Sequence, residues 1–323
     1  MTRRVFVAGA TGLAGSSIVR RLLKEPGIAR IRAGHHSGGG AFVEDPRVEY
    51  VQGDLRKSED CERLVAGTDL AVLAASQSGG AQEAVSAPWR QVTDNIVMDA
   101  VLLEALHRAG VRRAVFVSSA TVYPERDGFT REDDLDWNKP PAAAYLGIGY
   151  AKRAAESLCH FWHAKTGMEI IVARASNIFG PYAKFDSKRS NFIPALIRKA
   201  VDRLDPFEVW GAPEVARDVI FSEDFADAIV ALALADQIDY DIFNVGSGHT
   251  VTVGEVVNLV LDACGHSGAQ VQWLQDRPTT IGFRALDCSK LAARIGWKPR
   301  VGVEDGIRRT VLWWQENRNV WTR

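Results

Sequence analysis

The sequence predicts a doubly wound α/β fold, a parallel sheet covered by helices on both faces, with a smaller C-terminal α/β lobe for substrate. Three observations predict it. Short, near-continuous apolar runs alternate with longer amphipathic stretches up to about residue 175, a glycine-rich turn follows the first run, and the alternation loosens after about Gly180. The chain has 323 residues, 46% hydrophobic and 24% charged, enough for one large core or two and too apolar for a disordered chain. Its 39 Lys and Arg against 40 Asp and Glu leave a formal net charge of −1. No whole-molecule field therefore favours nucleic acid or an anionic membrane, and an anionic ligand must be held by local charges.

Strands are expected at Val5–Ala8, Arg30–Gly34, Val48–Val51, Leu70–Ala74, Arg113–Val117 and Glu169–Ala173, each apolar enough to be buried on both faces. Helices are expected between them at Leu13–Leu23, Ser58–Val65, Trp89–Arg108 and Gly149–Thr166, with Val92, Ile96, Leu103 and Leu106 forming one apolar stripe. Further helical patterns follow at Ile193–Leu204, Glu223–Leu234, Val253–Ala263, Lys290–Ile295 and Val303–Glu316. Residues 1–175 are expected to form the nucleotide domain. Residues 176–323 mainly form the substrate lobe, with some segments returning to the first domain. The stretches Ser37–Gly40, Tyr182–Asn191 and Gln275–Ile281 read as loops.

Several function classes drop out. The longest apolar stretches, such as Ala228–Ala235, fall far short of the roughly 18 to 20 residues of a membrane helix. Met1–Ala14 reads as a first strand rather than a signal peptide, because Gly9 and Gly12 punctuate it. Cys61, Cys159, Cys264 and Cys288 are too scattered for a disulfide framework or zinc site, so a reducing, cytoplasmic compartment is expected. His160 and His163 are three apart on a helix without a nearby third ligand, so no metal is expected.

The strongest local signal is Val5-Phe-Val-Ala-Gly9-Ala-Thr11-Gly12-Leu13-Ala-Gly15. Three glycines after a strand and at the opening of a helix allow a tight turn and close backbone approach to a pyrophosphate, which the helix N-terminus attracts. This turn, with Thr11 and Leu13, predicts a Rossmann-type dinucleotide site. The end of the second strand, Arg32-Ala-Gly-His35-His36-Ser37, lacks the acid that would bond an NAD ribose, so NADP is favoured and NAD is the alternative. Asp54 and Leu55 after the third strand, where Asp54 is placed to meet the adenine amino group, and Ala74 and Ala75 after the fourth complete the expected cofactor wall.

Together with Phe116-Val-Ser-Ser119-Ala-Thr121-Val-Tyr123, Lys152-Arg-Ala-Ala-Glu156 and Asn177-Ile-Phe-Gly-Pro181, the glycine turn resembles the extended short-chain dehydrogenase/reductase family of nucleotide-sugar epimerases, dehydratases and reductases. Asn191-Phe-Ile-Pro-Ala-Leu, Trp210-Gly, Arg217-Asp-Val and Asn244-Val-Gly-Ser-Gly248 make it look most like the GDP-L-fucose synthase branch, which epimerises and reduces a GDP-4-keto-6-deoxy sugar. The resemblance covers nearly the whole chain. It implies that Ser119 bonds the reacting sugar oxygen, that Lys152 binds the nicotinamide ribose, and that Thr121 takes part in proton transfer. It also implies that Asn177 borders cofactor and substrate, that Lys199, Trp210, Arg217 and Arg284 hold the nucleotide and its pyrophosphate, and that two chains form a homodimer through the helices at Trp89–Arg108 and Gly149–Thr166.

Two positions depart from that pattern. Four residues before Lys152, where the family carries a proton-exchanging Tyr, stands Ile148. Tyr150 lies about 200° away around a helix and cannot substitute, whereas Tyr145, seven residues before Lys152, faces the same way about 10 Å distant and is the one local candidate for a proton donor. Asn191 stands where fucose synthases carry a histidine that protonates the epimerising carbon, and Asn relays no proton near neutral pH. The expected activity is an NADP-linked nucleotide-sugar reductase or epimerase/reductase with altered proton transfer. The alternatives are a non-redox epimerase or dehydratase that retains its cofactor, and a nucleotide-binding pseudoenzyme.

Overall fold

A computed structural model of the chain describes residues 2–36, 43–77, 88–186, 190–275 and 281–321. Seven parallel strands form the central sheet: β1 (Arg3–Ala8), β2 (Ile28–His35), β3 (Val48–Gln52), β4 (Leu70–Leu73), β5 (Arg113–Ser119), β6 (Glu169–Ala175) and β7 (Tyr240–Val245). Their spatial order is β3, β2, β1, β4, β5, β6, β7. The order reverses between β1 and β4, and a doubly wound sheet binds ligands over the carboxyl ends of the strands at such a reversal.

The helices are α1 (Leu13–Leu22), α2 (Ser58–Val65), α3 (Pro88–Arg108), α4 (Leu146–Thr166), α5 (Phe192–Val201), α6 (Ser222–Ala233), α7 (Val253–Ala263), α8 (Ser289–Ile295) and α9 (Val303–Asn317). Alternation along β1 explains the unbroken apolar strands. Val5 and Val7 enter one core with α1, α6 and α8, while Phe6 and Ala8 enter a second core with α2, α3 and α4. A third core joins α5, α7 and α9 in the C-terminal lobe. Because α6 covers the sheet and β7 extends it, residues 222–245 pack with the central sheet although they lie beyond residue 176.

The sequence does not single out β7, since Asp241 and Asn244 interrupt its apolar residues and leave no continuous run; it is an edge strand of the sheet. Other differences are at element ends. β5 continues to Ser119 and β6 to Ala175, while α4 begins at Leu146, three residues before Gly149. α5 stops at Val201 because the chain turns through Arg203, whose φ of 56° is left-handed. Ser37–Gly40 and parts of the Tyr182–Asn191 and Gln275–Ile281 loops lie outside the described residues.

Among the described residues no helix is long and apolar enough to cross a membrane. The four cysteines are free thiols. His163 places Nδ1 3.0 Å from the Met168 carbonyl, and both His160 and His163 pack on the Tyr240 ring, which gives the pair a structural use.

Candidate active site

The glycine turn is built from backbone pressed on backbone. Gly9 has φ of 71°, and a Cβ there would lie 2.8 Å from the Ala75 Cα; one on Gly15 would lie 2.1 Å from the Gly9 carbonyl oxygen. Gly12 donates its N–H to Gly9 O at 2.9 Å and caps α1 without a side-chain hydrogen bond, and the first turn carries no acidic residue. Thr11 is buried in the turn, and Leu13 begins α1 against the third core. Such a cradle fits a pyrophosphate: it leaves room for backbone contact and presents the positive end of a helix.

Around the turn the other predicted cofactor residues divide. Ala74 and Ala75 form its wall. His35 ends β2, and His36 lies 3.9 Å from Asp54 through its Nε2. Arg32 is not brought there: its guanidinium donates to the carbonyls of Leu64 and Ala66 at 3.0 and 2.7 Å, because the carbonyl end of α2 is the nearest negative site to a mid-strand arginine. A 2′-phosphate would therefore depend on His35 and His36. Arg56 hydrogen-bonds Asp54 and holds its carboxyl down at about 2, so Asp54 is an ionised acceptor suited to an adenine amino group. Leu55 is buried and its carbonyl accepts the Cys61 thiol.

The residues expected to react lie at the end of β5 and on α4. Ser119 Oγ accepts the Thr121 N–H at 3.2 Å and caps the single turn Ala120–Val122. Thr121 is buried, and its Oγ1 has no hydrogen-bond partner among the described residues. Helix α4 is pressed onto this turn at Gly149, where a Cβ would lie 2.5 Å from Thr121 O and from Pro141 Cβ. That contact fixes the helix register, with Ile148 and Lys152 one turn apart on one face. Lys152 is buried, its Nζ 4.6 Å from the centre of the Phe116 ring and 3.7 Å from Asp99 Oδ2. Tyr150 is half-exposed. Tyr145 ends the turn before α4, and the Arg284 guanidinium stacks on its ring at 4.4 Å, so it packs on Arg284.

Arg217 and Arg284 are register partners on two short parallel strands, Ala216–Arg217 and Phe283–Leu286. Arg217 donates to the carbonyls of Ala216, Ile281 and Gly282; burial lowers its guanidinium pKa, with Tyr145 opposing and Arg284 adding repulsion. Arg284 reaches Asn177 Oδ1 at 2.9 Å, while its buried Nε and Nη1 make no hydrogen bond among the described residues. Asn177 in turn donates to Asp218 O at 2.8 Å. Arg284, Tyr145 and Ala120 line one cleft, so Arg284 shares it with the turn that follows Ser119. Other predicted substrate residues are placed differently. Lys199 donates to Glu208 O at 2.7 Å, Trp210 is exposed at the end of the strand Phe207–Trp210, and Asn191 is exposed at the start of α5.

Three groups of residues that the sequence does not single out support this site. Asn95, fully buried on α3, bonds the backbone of Gln77 and so holds the segment after β4. Asp99 stands beside Lys152. Glu156, one turn beyond Lys152, accepts from Ser118 at 2.6 Å and pairs with Arg174 at 2.7 Å, and Arg174 continues to Tyr123, which bonds Asn244. The signal for the first two is visible: Asn95 and Asp99 are polar residues on the apolar stripe of α3.

The sequence profile of the NAD dependent epimerase/dehydratase family matches residues 5–246. The chain is similar to the dTDP-glucose 4,6-dehydratase of Actinoplanes sp., 30% identical over 335 residues that cover 99% of this chain and 100% of that protein. It is also similar to the GDP-L-fucose synthase of Sinorhizobium fredii, 27% identical over 314 residues, 95% of this chain and 94% of that one. Among solved structures, the dTDP-glucose 4,6-dehydratase of Streptomyces venezuelae with NAD bound superposes with a TM-score of 0.86 at 25% identity, covering 98% of both chains. The UDP-glucose 4-epimerase of Thermotoga maritima has the same fold, with a TM-score of 0.85 at 22% identity over 97% of this chain and 99% of that one. With its glycine turn after β1, its serine at the end of β5, its buried lysine on α4 and its paired arginines, this chain belongs to the NAD dependent epimerase/dehydratase family of nucleotide-sugar enzymes.

Proposed function

We propose that the chain is an NADP-linked reductase, or epimerase/reductase, of a GDP-linked 4-keto-6-deoxy sugar. The observation that carries this reading is the pair of guanidinium groups, Arg217 beside Arg284, with two buried N–H positions of Arg284 unpaired among the described residues and Arg284 itself lining the cleft beside Ala120. Guanidinium pairs suit a diphosphate, and buried donors without partners are costly unless a ligand takes them up. The relationship to GDP-L-fucose synthase supports a GDP sugar, and the absence of an acid at the end of β2, with His35 and His36 there, supports NADP over NAD.

On this reading Ser119 hydrogen-bonds the reacting sugar oxygen. Lys152 holds the nicotinamide ribose and supplies positive field, and bound NADPH supplies the hydride chemistry. Thr121, or a water ordered by Lys152, delivers the proton that a phenol at position 148 would otherwise give. Asn191 offers hydrogen bonds but no proton relay, so reduction is favoured over double epimerisation. The exposed apolar residues Trp89 and Val97 on α3, and Leu146, Tyr150 and Phe161 on α4, support a homodimer through these helices. Four free thiols support a reducing, cytoplasmic setting.

The likeness to a dTDP-glucose 4,6-dehydratase along its whole length supports a second reading, a non-redox epimerase or dehydratase with retained cofactor. Oxidation of NADPH on addition of a GDP-4-keto-6-deoxy sugar at high enzyme concentration separates the readings. Slow, stoichiometric oxidation supports the reductase. Product without oxidation moves the assignment to the second reading, and tight binding without product makes the chain a binding protein.

A further inference from the structure

Lys152 is a cation almost wholly inside the protein, 3% exposed, and its Nζ makes no hydrogen bond among the described residues. Asp99 approaches it from α3 to 3.7 Å, is 5% exposed, and likewise has no hydrogen bond at Oδ2. Among the described residues no other partner comes from the lysine's own helix. One turn before it stands Ile148, and one turn after it Glu156 is engaged by Arg174 and Ser118. Two opposite charges buried together are mutually dependent, since removing either leaves the other unpaired in a dry interior.

We propose that Asp99 is a positioning residue, the counter-charge that fixes the Lys152 ammonium from the neighbouring helix so that its N–H donors are presented to the cofactor ribose. The inference rests on the assignment of Lys152 to the cofactor given above. The ammonium has three donors, and an ion pair at 3.7 Å is too long to consume one as a hydrogen bond. Burial pushes the Asp99 carboxyl up, and Lys152 pulls it back toward the ionised form. The other groups around the pair do not replace Asp99. Phe116 on β5 offers a ring face, Arg174 on β6 is paired to Glu156, and burial raises the Cys159 thiol well above its ordinary value, so it stays neutral.

The test is a double-mutant cycle of Asp99→Asn and Lys152→Met. It is read by the dissociation constant of NADPH between about pH 6 and about pH 10, and by the unfolding midpoint without ligand. Asp99→Asn is expected to weaken NADPH about tenfold and to bring the alkaline loss of binding to lower pH, because the ammonium loses its counter-charge. The double variant is expected to bind within about twofold of Lys152→Met, since the carboxylate acts only through the lysine. Additive losses, or an Asp99→Asn pH profile equal to wild type, overturn the proposal. If Asp99→Asn does not fold, Asp99→Glu keeps the charge and is expected to preserve the wild-type pH profile; a folded Glu variant without that profile overturns the proposal as well. Failure of the wild-type chain to bind NADPH would sink the cofactor assignment instead. In that event non-additive unfolding midpoints still support the Asp99–Lys152 pair, and additive ones refute it.

Discussion

The glycine turn after β1 and the Lys152 face of α4 both lie at carboxyl ends of the sheet, yet they are specified by different means. At the turn, three missing side chains do the specifying: a Cβ on Gly15 would sit 2.1 Å from a backbone oxygen, so the cradle's shape follows from glycine spacing alone. On α4 the specifying groups are side chains drawn from four elements, Phe116 from β5, Asp99 from α3, Arg174 from β6 and Glu156 from α4 itself. A backbone device tolerates neighbouring substitutions as long as the glycines stay. A side-chain device changes its chemistry with one residue.

That difference predicts unequal costs. Glu156→Leu removes the partner of a buried arginine and an acceptor of Ser118, and is expected to destabilise the fold by about 3 to 5 kcal/mol in denaturant unfolding. A loss under about 1 kcal/mol would mean that the polar face of α4 is not what holds it. Gly15→Ala forces the turn open and is expected to cost about 1 to 3 kcal/mol while abolishing measurable NADPH binding; retained binding would break the account of the cradle.

Arg284→Ala tests the substrate side. It is expected to weaken GDP about 10- to 100-fold in calorimetry while leaving NADPH binding within about twofold, and equal losses of both ligands would show that the two sites are not separable. The smallest effect is expected at Asp54, where Arg56 holds the carboxyl at about 2 in the folded chain, below the roughly 3.9 of an exposed aspartate. The stabilisation it gives is present above about pH 4 and is lost as pH falls through about 2. Since Arg56 is 41% exposed, solvent screening trims the contribution to about 1 kcal/mol. The wild-type advantage over Asp54→Asn in thermal unfolding is therefore expected to vanish in acid; an advantage that grows in acid would reverse the sign.

What the sequence makes legible follows the same division. Strands buried on both faces, the helix stripes and the glycine turn are readable because each depends on local pattern, and α2 and α7 fall where the pattern predicts, at Ser58–Val65 and Val253–Ala263. β7 is hidden because Asp241 and Asn244 break its apolar run, and Arg32 misleads because mid-strand position, rather than charge, decides what its side chain reaches. Ser119, Lys152, Arg217 and Arg284 are found through resemblance. Asp99 shows in the sequence only as a polar residue on the apolar stripe of α3, and the Glu156–Arg174 pair belongs to no local pattern, because the partners meet only when α3, α4 and β6 are packed together.

The most direct measurement is single-turnover oxidation of NADPH by GDP-4-keto-6-deoxymannose, comparing the wild-type chain with Ile148→Tyr. If the site holds ligands correctly and lacks only the phenol, the substitution is expected to raise the rate by about 10²- to 10⁴-fold. No reaction in either chain, with both ligands bound normally, would contradict the account.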